Sequence, residues 1–220
     1  MLDPTLNTVH RVATLHLDPQ GALQGTVTEK RFGDLSQERR EIYSVGDEKE
    51  RRQFLDRVLE RDFTAFAASD IRAENVGSLN QEFSLSFAIN VDHYARTVGP
   101  LLMVRPRVLG LLALGDVALD TKNKQRSVPI DLGETMQVTD DYSIELPEGY
   151  IADDVPDPVK VDMGFAAYQS AVAVEGRNLH YTRTFVVREL ALPASRYADV
   201  RKLAKTIASD EESLAVLKKR

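Results

Sequence analysis

The chain has 220 residues, 43% of them hydrophobic and 28% charged, with a net charge of −6 and a pI near 5.3. These are globular values that argue against disordered and low-complexity classes, and at this length about 70% of the unfolded surface can be buried. Lys and Arg lie scattered among a larger number of acids, which argues against a nucleic-acid partner, and the absence of cysteine excludes disulfides, thiolate metal sites and a cysteine nucleophile within these residues.

Residues 9–17 and 22–31 flank Asp18, Pro19, Gln20 and Gly21. That order of proline and glycine predicts a β-hairpin closed by a type I turn and a bulge, with Leu15, Leu17, Leu23 and Val27 on its buried side. Two helices follow, separated by Gly46. Asp34 with Gln37, and Asp47 with Glu50, have the spacing of capping boxes, in which side chains satisfy the orphan amides of a helix start. In the second helix Phe54, Leu55, Val58, Leu59 and Phe63 form one apolar stripe. Arg51, Arg52, Asp56, Arg57, Glu60 and Arg61 face away and read as solvated.

Ile71 and Ala73 hint at a strand, and Phe83, Leu85, Phe87 and Ile89, alternating with polar neighbours, mark the clearest strand of the chain. The most apolar run, residues 98–114, is broken by Arg105, Pro106 and Arg107, short of the roughly 20 apolar residues of a spanning helix. It reads as core, partly extended over 103–109, and no membrane insertion is expected. No signal peptide is expected in this chain either, since no charged segment leads into an apolar one. The irregularity between Gly99 and Gly115 is the only candidate boundary. It divides 1–112, with the hairpin, two helices and antiparallel strands, from 113–220, an antiparallel β subdomain with a C-terminal helix, unless the two form one continuous domain.

After a polar turn at Lys122, Asn123 and Lys124, short strands are expected at 128–132, 135–138, 142–146 and 159–163. A last hairpin pairs 167–174 with 179–188 across Glu175, Gly176, Arg177 and Asn178. Beyond Pro193 the spacing of Tyr197, Val200, Leu203, Ala204 and Ile207 predicts a helix over 195–208, and the basic end, Lys218, Lys219 and Arg220, reads as a solvated terminus. Closely spaced strands favour antiparallel pairing. The expected fold class is therefore mainly β (α+β): antiparallel, β-sandwich-like sheets with two short helices in the first half and one C-terminal amphipathic helix.

Four motifs then occur in a fixed order: Arg126, Pro129 and Ile130; Leu146, Pro147, Gly149 and Tyr150; Gly176, Leu179, Tyr181 and Arg183; Leu192, Pro193, Tyr197 and Arg201. With residues 214–217 and an early Asp18, Gly21, Leu23, Gly25 hairpin, this order resembles the C-terminal region of bacterial multi-domain transglutaminase-like proteins of the papain-like superfamily. The resemblance covers nearly all of the chain. It implies a β-rich domain of unknown function that packs beside an upstream Cys, His and Asp catalytic core, in a protein that is exported or periplasmic. None of those catalytic positions transfers to a chain without cysteine, so no catalytic activity is expected here.

Candidate sites are few. His10 and His16 share a strand face but lie six residues apart, roughly 20 Å in an extended chain and too far for one metal; His93 and His180 complete the set. Asp140 and Asp141, and Asp153, Asp154 and Asp157, lack the spacing of a calcium loop and read as loop solubility. Arg183 interrupts an apolar strand face, so burial would demand a carboxylate, with Glu145 the suggested partner, or an anion contact. No phosphate loop, nucleophile elbow or paired-histidine zinc motif is present. Catalytic, cofactor and metal residues are all expected to be none. The leading expectation is a non-catalytic accessory or interaction domain whose partner is the upstream catalytic domain or another protein. The alternatives are a helix-grip-like module binding a small molecule or lipid, and an enzyme using the aspartate-rich loops.

Overall fold

The structure, a computed structural model, describes residues 3–112 and 127–220. β1 (Thr8–Leu17) and β2 (Leu23–Phe32) form the expected hairpin, with Leu17 opposite Leu23. Gly21 closes it at φ +91, and a Cβ there would stand 2.5 Å from the Ala95 carbonyl oxygen, so both conformation and close approach require glycine. α1 (Gln37–Val45) and α2 (Glu48–Leu59) follow. The capping box at α2 is complete: Asp47 accepts from the Glu50 amide at 2.8 Å and Glu50 from the Asp47 amide at 2.9 Å. The one expected at Asp34 is not formed. A 3-10 turn over Gly33–Ser36 precedes α1, the Leu35 amide donates to Asn7 Oδ1, and Gln37 donates to the Asp34 carboxylate.

β3 (Phe66–Glu74), β4 (Phe83–Val91), β5 (Arg96–Val98) and β6 (Leu101–Val104) come next, and the expected polar turn at 122–124 lies outside the described residues. The second half contributes β7 (Ile130–Asp131), β8 (Met136–Glu145), β9 (Tyr150–Asp154), β10 (Val159–Asp162), the hairpin β11 (Ala166–Glu175) and β12 (Asn178–Val187), then β13 (Ala191–Leu192). α3 (Tyr197–Glu211) and β14 (Ala215–Lys219) close the chain. Two further expectations change. The segments 135–138 and 142–146 are one strand, β8, because Asp140 points to the same inner face as Val138 and Tyr142 and does not interrupt it. The basic terminus is not merely solvated: Lys218 pairs with Leu101 and Ile151 inside a sheet.

The fold is mainly β with antiparallel sheets and, among the described residues, three α-helices, one of them C-terminal. The largest sheet has eight strands in the order β10-β11-β12-β8-β1-β2-β4-β3, and a second has the order β5-β6-β14-β9. β1 and β8 pair in parallel, the exception to the antiparallel expectation. Short connections impose antiparallel pairing only on strands joined by them, and β1 and β8 are far apart in sequence. The inner face of the large sheet carries two hydrophobic clusters. One gathers Leu15, Leu17, Phe83, Leu85, Tyr142 and Leu179 under α2 and the smaller sheet; the other gathers Val9, Val138, Phe165, Tyr168 and Phe185 under Tyr197, Val200, Leu203 and Ile207 of α3.

Candidate functional site

A row of polar residues crosses the inner face between the two clusters. Glu29 of β2 stands opposite Arg11 of β1, Arg11 opposite Asp140 of β8, Asp140 opposite Arg183 of β12, and Arg183 opposite Ser170 of β11. On every one of these strands the neighbours two residues away are apolar or aromatic on at least one side, so the strand alternation itself directs the charges inward. Signs alternate along the row, which is the arrangement that stabilises directly opposed side chains in a sheet.

The ion pairs are short. Arg11 Nε donates to Glu29 at 2.8 Å and its Nη1 to Asp140 at 2.9 Å. Arg183, 2% exposed, has every nitrogen engaged: Nε donates to Asp140 at 2.6 Å, Nη1 to Glu211 at 2.6 Å, and Nη2 to the Gly110 carbonyl at 2.6 Å. Tyr142 donates to Asp140 at 2.9 Å and stacks on Tyr181 at 5.9 Å. The partner of Arg183 is thus Asp140 with Glu211, not Glu145, which lies on the outer face and pairs with Arg177 at 2.5 Å. A second tier covers the row. Arg107 donates to Asp62 at 2.6 Å, the Gly110 amide donates to the other Asp62 oxygen at 2.9 Å, and the Leu112 amide donates to Glu211 at 2.9 Å.

Burial opposes the charges of Glu29, Arg183, Arg11 and Glu211, and at the first three the neighbours prevail. For Glu29 burial pushes the carboxyl up, but Arg31 and Arg11 outweigh it and hold it well below its ordinary 4.5. For Arg183 burial disfavours the cation, and Asp140 more than restores it. Arg11 behaves in the same way, with Asp140 and Glu29 as its anions. At Glu211 burial prevails over the Leu112 amide and the Arg183 charge, so its carboxyl lies above its ordinary value. Chemically the row can fix strand register, because a one-residue slip would turn each buried charge out of its pair.

The other candidates do not converge on this row. His10 bonds Thr139 at 2.7 Å, His16 faces Glu145 at 3.3 Å and His180 meets Asp141 at 2.8 Å, as cross-strand pairs on the outer face of the sheet. Asp140 and Asp141 belong to β8 and not to a loop, Asp140 inward and Asp141 outward. Asp153 and Asp154 end β9 and are exposed, as is Asp157. Among the described residues no group of three or more His, Cys, Asp or Glu could hold a metal ion, and no helix is long and apolar enough to cross a membrane. Of this row the sequence marks only Arg183 as a buried charge, and Asp140 reads there as loop solubility. Arg11, Glu29 and Asp140 carry the same signal, a charge inside an alternating apolar face.

The outer face of the sheet, spanning β3, β4, β2, β1, β8 and β12, forms an open concavity of about 850 Å³ lined by Thr14, Thr26, Ser69, Ala88 and Ser143 and by the charged Glu145 and Arg177. A distinct cleft of about 380 Å³ lies between α2 and the inner face.

Residues 112–217 match a family described as a domain of unknown function with a solved structure, DUF3858. Comparison with curated proteins gives no match. Among solved structures the chain is similar to one described as a "putative protease" from Parabacteroides distasonis, with 15% identity and a TM-score of 0.42. That similarity covers 54% of this chain and 23% of the other, so the chain corresponds to under a quarter of that protein's length.

Proposed function

We propose that this chain is a non-catalytic accessory domain that packs beside an upstream transglutaminase-like catalytic core, as in the exported bacterial multi-domain proteins whose C-terminal region its sequence resembles. The observation that carries this reading is the charge row: the strongest concentration of ionisable side chains is consumed by internal pairing, with all three Arg183 nitrogens and both Asp140 oxygens engaged inside the protein. Such charges organise a fold. What the domain offers to a neighbour is the broad outer face of its sheet, a concave surface where threonine, serine and alanine lie beside His16, Glu145, Glu175 and Arg177.

Hydrogen exchange tests this directly by comparing the isolated chain with the parent protein that contains it. Slower exchange in the outer-face strands β1, β2 and β4 within the parent is the expected result. Unchanged exchange throughout, or a parent gene encoding no transglutaminase-like segment beside this region, would overturn the proposal.

A further inference from the structure

We propose that the cleft between α2 and the inner sheet face binds a small amphipathic carboxylate, with Arg39 receiving the carboxylate and Phe54, Leu85 and Phe87 receiving the hydrocarbon. The cleft holds about 380 Å³, within the range of small-molecule sites, and combines an apolar lining with a few polar groups. Five guanidinium groups line it against three carboxylates, an excess of two positive charges.

Two of the three carboxylates are already committed to other groups. Asp62 is held by Arg107 and the Gly110 amide, and Glu29 by Arg11 at 2.8 Å and by Arg31 at 2.6 and 3.0 Å. Arg39 is left with the remainder. It is 7% exposed, reaches Glu29 only at 3.5 Å and Glu38 only at 3.3 Å, and its second terminal nitrogen has no acceptor among the described residues. The ring of Phe54, 4.4 Å from its guanidinium carbon, holds it in place. Burial and the nearby Arg31 charge draw its pKa below the ordinary arginine value, whereas those of Arg11, Arg107 and Arg183 are raised. At the mouth, Arg57 and Arg61 are exposed; Arg61 has no partner among the described residues, and Arg57 contacts only the Phe54 ring, at 6.0 Å. A ligand carboxylate would complete the compensation of Arg39, and its tail would fill the cleft against Phe54, Leu85 and Phe87.

Titration of the intact chain with octanoate, 1-octanol and inorganic phosphate, followed by amide chemical shifts at low salt, tests this. Octanoate should shift amides of α2, β2 and β4 and bind about tenfold tighter than 1-octanol, the difference a charge-assisted hydrogen bond makes. R39M should weaken octanoate about tenfold and leave 1-octanol unchanged. Should R39M fail to fold, the exposed pair R57E/R61E should weaken octanoate about threefold, an effect that salt removes. Failure of octanoate to bind, equal affinity for 1-octanol, displacement by phosphate at similar concentration, or indifference to the arginine substitutions would each overturn the assignment.

Discussion

Replacing Arg183 with methionine removes the cation at the centre of the row while keeping a side chain of similar length. Asp140 would keep Arg11 at 2.9 Å and Tyr142 at 2.9 Å, but Glu211 would keep only the Leu112 amide at 2.9 Å, and the Gly110 carbonyl would lose its donor. Removing one partner of a buried pair costs about 3–5 kcal/mol, and the retained contacts of Asp140 place R183M near the lower end, about 3 kcal/mol. The control is R177M, which breaks the Glu145 pair where both side chains are about half exposed and should cost less than about 1 kcal/mol. Urea unfolding at neutral pH, analysed with a common slope, measures both. Because burial already raises the Glu211 carboxyl, its protonation in mild acid should narrow the gap between R183M and wild type. A loss for R183M no larger than for R177M would refute the reasoning that this row organises the interior.

Three further outcomes follow from the same geometry. The folded pKa of Glu29 is depressed, so its stabilisation is full above its ordinary 4.5 and drains as pH falls below that value; E29Q should be less stable than wild type at pH 7 and show a shallower acid limb in urea midpoints measured between about pH 5 and 3. Gly110 sits at φ +81, and a Cβ there would stand 2.4 Å from Arg11 Nη1, which is itself clamped to Asp140; G110A should cost about 2 kcal/mol or more by thermal unfolding. D47A removes the acceptor of the α2 capping box and should cost about 1 kcal/mol, read by the same method.

The hairpins, the clear strand at 83–91 and the final helix were legible because each shows a single period over enough residues, and the burial follows that period. The row itself was only partly legible. Arg183 stands out because its strand face is otherwise apolar, with Leu179, Tyr181 and Phe185 around it. Asp140 was hidden by its neighbours: next to Asp141, in a strand with Thr139 and Ser143 on the other face, it reads as a turn. Arg11 lies between two histidines, and only the pairing of β1 with both β2 and β8 brings it between two acids. Glu211 is further still from prediction, since its role depends on where the end of α3 falls over the sheet. Periodicity reports which face a residue takes, whereas the parallel pairing of β1 with β8 is a tertiary outcome that no local pattern encodes. Glu145, the partner suggested for Arg183, stands opposite Asn178 and on the outer face.

The claim that this chain spends its charges on folding and leaves chemistry to another polypeptide segment is tested most directly by assaying the purified, folded chain against a peptide mixture by mass spectrometry. The expected result is no hydrolysis and no transfer products over the background of the D140N variant. Turnover by the wild-type chain that a single substitution abolishes without unfolding it would contradict the account.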